Sequence, residues 1–290
     1  MGLRLKFNLV LLAVFAVGLG VTGYVSYELL HRNAREDVLR NAGVMMEAAL
    51  SMRGYTVAQV RPNLVVDADK FLPQSVPAFG ATEIMNLLRK KYPDYAYKEA
   101  ALNPTNPRDR AVEWEEDIVN VFRGDPSRPE ISGMRETPTG RSLYLARPFQ
   151  IKDPACLACH TTAEMAPAAM VKIYGPNNGF GWKLNEVIGA QIVSVPMDLP
   201  IRNANHAFVT FMTSLTAVFA VLFVILNIML SAMIVQPITQ LSHVADQISK
   251  GRMDAAEFPA KGGDEVSQLG QAFNRMRRSL QKAMALIDKG

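Results

Sequence analysis

The chain has 290 residues, of which 49% are hydrophobic and 20% charged, and its formal net charge is +4. This composition excludes an intrinsically disordered chain, which would hold fewer apolar residues, and a disulfide-stapled miniprotein, which would hold more than two cysteines. Much of the apolar content is concentrated in two uninterrupted runs, which favours a membrane protein over a soluble domain.

The two apolar runs are long enough to cross a bilayer. They cover residues 7–27 and 207–235, and neither contains a formal charge. An α-helix needs about 20 apolar residues to span the hydrocarbon core. A cleavable signal peptide is the alternative for the first run, but its apolar region would be shorter and would end in a small-residue cleavage site. The sequence therefore predicts transmembrane helix 1 at residues 7–30 and transmembrane helix 2 at residues 207–235.

The distribution of charge predicts the orientation in the membrane. Arg4 and Lys6 precede the first run, and residues 237–290 carry eight Lys or Arg against six Asp or Glu, whereas residues 28–206 carry 21 of each sign. Cytoplasmic flanks are enriched in Lys and Arg. We therefore expect a two-pass protein of the bacterial inner (cell) membrane, with residues 1–6 and 236–290 in the cytoplasm and residues 31–206 as a periplasmic, extracytoplasmic domain. The positive charge reflects this topology and does not indicate a nucleic-acid partner.

After the first run, apolar residues at alternating spacings of four and three predict a long helix that Pro62 ends. They are Val38, Ala42, Met45, Ala49, Met52 and Thr56. Further along the chain we expect a short helix near residues 82–91, an extended segment over residues 95–107, a helix closed by Gly124, and strands at residues 140–149 and 188–195. The helix before Gly124 carries Ala111, Trp114, Ile118 and Phe122 on one face. This order favours an α+β sensor core.

The only two cysteines, Cys156 and Cys159, form a C-x-x-C-H motif with His160. This motif is typical of c-type haem attachment, in which two thiols bond the haem vinyl groups while the imidazole ligates the iron. The cofactor prediction is one covalent haem c, with His160 as the proximal iron ligand. A structural zinc site would need about four ligands, a redox dithiol would not need His160, and a disulfide here would close too short a loop to stabilise much.

Four segments carry a resemblance to a known family. They are Arg53-Gly54-Tyr55-Thr56 with Pro62, residues 102–115 (LNPTNPRDRAVEWE), residues 147–160 (RPFQIKDPACLACH) and residues 174–197 (YGPNNGFGWKLNEVIGAQIVSVPM). Over residues 36–200 the chain resembles the bacterial extracytoplasmic haem c sensor family with a PAS-like core. The resemblance implies a PAS-like haem domain used for redox or small-ligand sensing. Some relatives use a further cysteine as the distal ligand, and this chain has no third cysteine.

Methionine is the remaining strong candidate for the distal iron ligand. We favour Met52, because it adjoins the Arg53-Gly54-Tyr55-Thr56 segment, and retain Met45, Met165 and Met170, with Met134 and Met197, as alternatives. Any of these methionines can instead pack in the core or at a dimer seam.

The tail after the second run resembles a HAMP domain. Gln236-Pro237-Ile238 leaves the membrane, and Ile238, Leu241, Ala245 and Ile248 give a first heptad helix. A connector at residues 250–263 precedes a second helix, opened by Asp264-Glu265, with heptad positions at Val266, Leu269, Phe273, Met276, Leu280, Ala283 and Ile287. One chain cannot bury two such seams, so we expect a parallel four-helix bundle in a homodimer. An ordinary amphipathic hairpin is the alternative.

The predicted fold class is thus α+β: a PAS-like extracytoplasmic haem domain between two transmembrane helices, followed by a helical HAMP bundle. The predicted function is a haem c redox or small-ligand sensor that responds to a diatomic gas or a redox partner. No catalytic residue or output enzyme is identifiable, so we expect a separate cytoplasmic signalling protein or an output domain missing from this sequence. The main alternative is a membrane-anchored monohaem electron-transfer cytochrome. A haem peroxidase would need distal acid–base groups that the sequence does not identify.

Overall fold

The computed structural model describes residues 2–64, 71–252, 257–259 and 262–287. The chain divides into two compact units, Glu28–Ala207 and Met1–Tyr27 with Phe208–Gly290. The helices are α1 (Leu3–Tyr55), α2 (Pro77–Lys91), α3 (Glu113–Gly124), α4 (Leu157–His160), α5 (Ala168–Tyr174), α6 (Asp198–Leu230), α7 (Gln236–Ser249) and α8 (Glu265–Ile287). The strands are β1 (Ala96–Ala101), β2 (Ile131–Thr137), β3 (Gly140–Gln150) and β4 (Val187–Pro196).

The Glu28–Ala207 unit is built on one antiparallel sheet with the strand order β1-β4-β3-β2. β4 is the most apolar strand and lies in the interior, between β1 and β3. Helices cover both faces of this sheet, which confirms the mixed α and β class expected from the sequence.

One face of the sheet packs against α1 and α2. Leu143 and Leu145 of β3, with Val193 and Val195 of β4, form a core with the buried stripe of α1. That stripe consists of Val38, Ala42, Met46 and Ala49, and it continues to Thr56 in a π-helical turn (Thr56–Val60). The heptad pattern predicted Met45 in place of Met46, whereas Met45 is only partly buried. Met45 nevertheless packs against this core, so both methionines contact it.

The opposite face of the sheet packs against α3. Ile118, Val119 and Phe122 of this helix are buried against Ala146 of β3 and Ile192 of β4. The Glu115 carboxylate accepts a hydrogen bond from the Val112 backbone N–H (2.9 Å) and caps the start of the helix. The amphipathic face predicted before Gly124 is therefore the face that α3 buries.

Most predicted elements of this unit are present, with altered limits. Helical backbone ends at Asn63, next to Pro62, and α2 begins at Pro77, five residues before the expected start. β2 was missed, because its residues alternate only between half-buried and exposed positions and include Gly133 and Arg135.

In the other unit, α1 and α6 contain the two apolar runs. Both helices are long and apolar enough to cross a membrane. The rings of Phe15 and Phe219 stack at a centroid distance of 4.8 Å, and Arg4 donates a hydrogen bond to the Ser231 hydroxyl oxygen (2.7 Å). The apolar side chains at Val10, Val17 and Val221 remain exposed, as expected for helix faces that contact lipid.

The C-terminal part of this unit contains α7 and α8. In α8 the buried residues are Ser267, Asn274 and Arg277, together with Gly270, while the predicted heptad residues Leu269 and Met276 are 51% and 53% exposed. Part of the predicted connector, residues 253–256, 260 and 261, lies outside the described residues, as do residues 288–290 and the side chain of Ile287. The apolar seam of α8 is thus exposed in the single chain.

Candidate haem site

The C-x-x-C-H motif lies in the loop between β3 and β4, on two short helical segments. Cys156 ends the turn Pro154–Cys156, and Cys159 and His160 belong to α4. The Asp153 carboxylate accepts a hydrogen bond from the Ala155 backbone N–H (2.9 Å), which starts the first turn. Both cysteines are free thiols and partly buried. Local capping therefore holds the two thiols and the imidazole on one short stretch of helix.

The His160 imidazole is oriented by the loop that precedes β4. Its Nδ1 lies 2.7 Å from the backbone carbonyl oxygen of Gly179 and 3.4 Å from the Thr105 hydroxyl. A carbonyl can only accept, so Nδ1 carries the proton. The lone pair is then on Nε2, and this tautomer can ligate a metal through Nε2.

Trp182 fixes the plane of the same ring. The indole stacks on the His160 imidazole with centroids 3.9 Å apart and planes inclined by 13°. Two backbone hydrogen bonds join the segments, from Gly181 N–H to the Thr161 carbonyl (2.9 Å) and from Trp182 N–H to the His160 carbonyl (3.2 Å). The imidazole is therefore held both at Nδ1 and on one ring face.

Gly179 can occupy its position only because it lacks a side chain. Its φ is +82°, and a Cβ atom there would lie 2.0 Å from the Thr105 hydroxyl oxygen and 2.7 Å from the Thr105 Cα. Asn103 clamps the same loop, accepting from Gly179 N–H and donating to the Phe180 carbonyl, both at 3.1 Å. The segment after β1 thus supports the carbonyl that orients His160.

Burial shifts the pKa values of His160 and Cys156 towards their neutral forms. Desolvation lowers the pKa of His160, although its hydrogen bond to Gly179 acts in the opposite direction. Desolvation and the nearby Asp153 charge raise the pKa of Cys156, while Arg53 and Arg61 act to lower it. Arg53 lies in the last turn of α1 and Arg61 in a turn shortly after it, so the effect of both charges on Cys156 indicates that this part of the chain is near the motif.

Arg53 is held firmly beside this site. It forms an ion pair with Glu99 of β1, which is almost fully buried, and its guanidinium lies 4.7 Å from the centroid of the Phe149 ring. Tyr97 donates a hydrogen bond to the other Glu99 oxygen (2.8 Å). A buried carboxylate needs this compensation, because an unpaired charge in a protein interior is strongly unfavourable.

The structure separates the candidate methionines. Met52 is partly buried and packs against Gly80 of α2, one residue before Arg53. Met45 lies two turns earlier on α1, Met170 is buried in α5, and Met165 is 62% exposed. Met134 and Met197 instead line a small cavity with His31 at the other end of the sheet, so they are poor candidates for the same iron.

The chemistry of these donors fits a covalently attached haem. Two thiols and a neutral imidazole with a free Nε2 are the groups that c-type attachment requires. Within the described residues, no group of three or more His, Cys, Asp or Glu side chains is arranged to hold a metal ion. The zinc alternative therefore has no support in the described part of the chain.

The sequence identified the motif but not its supports. Thr105 and Gly179 are 55 and 19 residues from His160, and no spacing rule links them to it. The glycines of the segment Asn177-Asn178-Gly179-Phe180-Gly181 were the available signal, because they mark positions of positive φ.

Comparison with known proteins gives matches over both parts of the chain. A family model described as Tll0287-like matches residues 31–196, and a HAMP domain model matches residues 229–282. Among solved structures, one described as the crystal structure of the cyanobacterial heme-protein Tll0287 is similar at 15% identity and a TM-score of 0.44, covering 55% of this chain and 94% of that chain. No curated protein matches.

Proposed function

This chain belongs to the Tll0287-like family and carries a C-terminal HAMP domain, and from that premise we propose that it is a membrane-bound haem c sensor. The haem is held covalently by Cys156 and Cys159, with His160 on the iron. The stimulus is a change of redox state or a small ligand, and the HAMP helices pass the response to a cytoplasmic signalling partner or output domain.

The observation that carries this proposal is the paired arrangement of thiols and oriented imidazole. The hydrogen bond from Nδ1 to the Gly179 carbonyl fixes the tautomer, and the Trp182 ring fixes the plane. A histidine that only filled a core would not need a free Nε2 beside two unpaired thiols. When bound, haem would supply a redox-active iron that Cys156, Cys159 and His160 would hold in place.

The residues of α1 supply the surroundings of this site. Arg53 acts to lower the pKa of Cys156 and is itself held by its ion pair with Glu99. We retain Met52 as the distal ligand, with Met45, Met165 and Met170 as alternatives, because it neighbours Arg53 and is partly buried.

The membrane arrangement is part of the proposal. Residues 7–30 and 207–235 span the inner membrane, residues 31–206 form the periplasmic domain, and residues 1–6 and 236–290 are cytoplasmic. The two apolar helices support the spans, and the charge asymmetry of the flanks supports the orientation.

The HAMP helices are proposed to form a homodimer. The exposed seam of α8 contains Leu269 and Met276, which a single chain leaves in solvent. A second copy that presents the same seam would bury these residues in a parallel bundle.

The attachment is tested on the full chain produced in a host that assembles c-type cytochromes. We expect haem peroxidase staining to remain with the protein on a denaturing gel, and to disappear when Cys156→Ser and Cys159→Ser are combined. His160→Ala, which leaves both thiols in place, serves as the matched variant: it should keep the covalent stain and lose the low-spin spectrum. Retention of the stain in the double cysteine variant would overturn the assignment.

The distal ligand is tested by the spectrum of the same preparation. If Met52 ligates the iron, the oxidised protein should show a weak sulfur-to-iron charge-transfer band that Met52→Ala removes and Met45→Ala leaves in place. Survival of the band in Met52→Ala would exclude Met52, and a high-spin five-coordinate spectrum of the unchanged chain would exclude all the methionines together.

A further inference from the structure

A cavity of about 380 Å³ lies in the Glu28–Ala207 unit, away from the candidate haem site. Its walls come from β1, β2 and β4, from α2 and α3, and from the turn Pro107–Asp109. The volume is within the range of cavities that bind small organic molecules, which begins at about 300 Å³.

The strand registers place this cavity and the C-x-x-C-H motif at opposite ends of the sheet. The cavity is lined by Ala96 and Ser194, which face each other where β1 begins and β4 nears its end. The motif follows Gln150, which pairs with Val187 at the other end of β3 and β4. The cavity is therefore separate from the motif, although its lining residue Tyr97 donates a hydrogen bond to Glu99, the ion-pair partner of Arg53.

Positive side chains predominate in the lining. Four cationic residues, Arg89, Lys98, Arg108 and Arg135, line the cavity with two carboxylates, Asp109 and Glu115. The Lys98 ammonium is paired with Glu115 at 2.6 Å. Arg108 is paired with Glu83 at 2.7 Å and lies 3.7 Å from Asp109. These partners account for both lining carboxylates and for two of the four cations.

The remaining two cations, Arg89 and Arg135, have no ion-pair partner among the described residues. Arg135 extends over the Trp114 ring, with its guanidinium carbon 4.0 Å from the centroid. Its planar group is thus held in place while its N–H donors remain available. The Thr82 hydroxyl, on a residue only 6% exposed that also lines the cavity, lacks a hydrogen-bond partner in the described structure.

The rest of the lining includes apolar surface. Trp114, Ile192 and Ala96 contribute side chains to the same walls. A guanidinium matches the planar, two-oxygen geometry of a carboxylate. A compact inorganic anion would satisfy the charges but leave this apolar surface uncovered, whereas an organic acid would cover it.

We infer that this cavity binds a small organic carboxylate, with Arg135 and Arg89 on its oxygens and its apolar part against Trp114 and Ile192. The sensor domain then has a ligand site in addition to the proposed haem.

The test is calorimetric titration of the full chain in detergent with propionate, succinate, benzoate and inorganic phosphate as separate probes. We expect saturable binding of at least one carboxylate, more tightly than phosphate. Arg135→Gln and Arg89→Gln should each raise its Kd by about tenfold or more, since each removes a charge-assisted hydrogen bond. Lys90→Gln is the matched control: it removes the same charge from the adjacent position of α2, outside the cavity lining.

Three results would overturn the inference. They are the absence of saturable binding for every carboxylate, tighter binding of phosphate than of any carboxylate, and an equal loss of affinity in Lys90→Gln. If Arg135→Gln lowers the melting temperature, Arg135→Lys replaces it as the test. Lysine keeps the positive charge over Trp114 but lacks the two parallel N–H donors of a guanidinium, so this variant should still weaken carboxylate binding. The titration measures carboxylate binding, whereas the stain of the cysteine variants measures haem attachment. Either proposal can therefore fail while the other is supported.

Discussion

At the scale of single residues, the orientation of His160 depends on the absence of a side chain at position 179. Gly179→Ala would combine a positive φ with a collision against the Thr105 backbone. We expect this variant to displace the carbonyl that accepts from Nδ1, and so to lose the low-spin spectrum of the haem-loaded protein while keeping the covalent stain. The visible spectrum and the denaturing gel measure the two effects separately.

Gly181→Ala provides the matched control for this prediction. Gly181 has nearly the same φ, +80°, but nothing lies within 4 Å of the position that its Cβ would occupy. It should cost about 1 kcal/mol of stability from backbone strain alone, with an unchanged spectrum. Equal spectral changes in the two variants would show that the Gly179 carbonyl has no special role at His160.

The C-x-x-C-H motif could be predicted from the sequence, whereas the residues that orient His160 could not. Cys156, Cys159 and His160 are adjacent in the chain, so their spacing alone predicts their chemistry. Thr105 and Trp182 reach the imidazole only after the sheet has brought two loops together. The unpaired Arg89 and Arg135 of the cavity were equally invisible, because an arginine in a sequence does not reveal whether a carboxylate lies beside it.

At the scale of the elements, α1 packs against the sheet through a narrow face of small and apolar residues. Ala49 is fully buried against the sheet, whereas its neighbour Ala48 is exposed. Ala49→Leu should therefore overpack the core and cost about 1 to 3 kcal/mol, while Ala48→Leu should change stability by less than about 0.5 kcal/mol. Thermal unfolding of both variants, followed by circular dichroism in detergent, measures the difference.

The result also tests the observed repeat of the helix. If Ala48→Leu were the more damaging change, the buried face of α1 would have to be rotated relative to the stripe at Val38, Ala42, Met46 and Ala49. The sequence predicted this face within one residue, because apolar spacing reports the helix period directly. It did not predict β2, since this strand lies at the edge of the sheet, beside β3, and shows no apolar alternation.

At the scale of the whole molecule, α1 leads into the Tll0287-like domain and α6 leads from it to the HAMP domain. Both α1 and α6 contribute residues to each of the two compact units. A change of ligation or charge at the proposed haem can bias the HAMP bundle only by its difference in free energy between two states of the bundle. Couplings of this kind are typically about 1 to 3 kcal/mol, a shift of roughly 5- to 150-fold in an equilibrium constant.

This hypothesis of signal transmission is tested with single cysteines on α8. Leu269→Cys and Phe273→Cys lie on the predicted dimer seam, and Gln271→Cys lies on the opposite side of the same helix as the matched control. The native cysteines are expected to be occupied by haem, so the introduced thiol is the one available for cross-linking. In membranes, we expect the seam variants to form disulfide-linked dimers and Gln271→Cys to form few.

The proportion of cross-linked dimer should then differ among oxidised, reduced and NO-treated membranes, because each treatment changes the charge or ligation of the iron. Equal cross-linking at Leu269 and Gln271 would contradict the parallel seam, and with it the dimer. A seam that cross-links identically in all three states would leave the dimer in place but contradict signalling through it. In that case the chain is better described as a membrane-anchored monohaem electron-transfer cytochrome, because such a protein needs no second state of its HAMP helices.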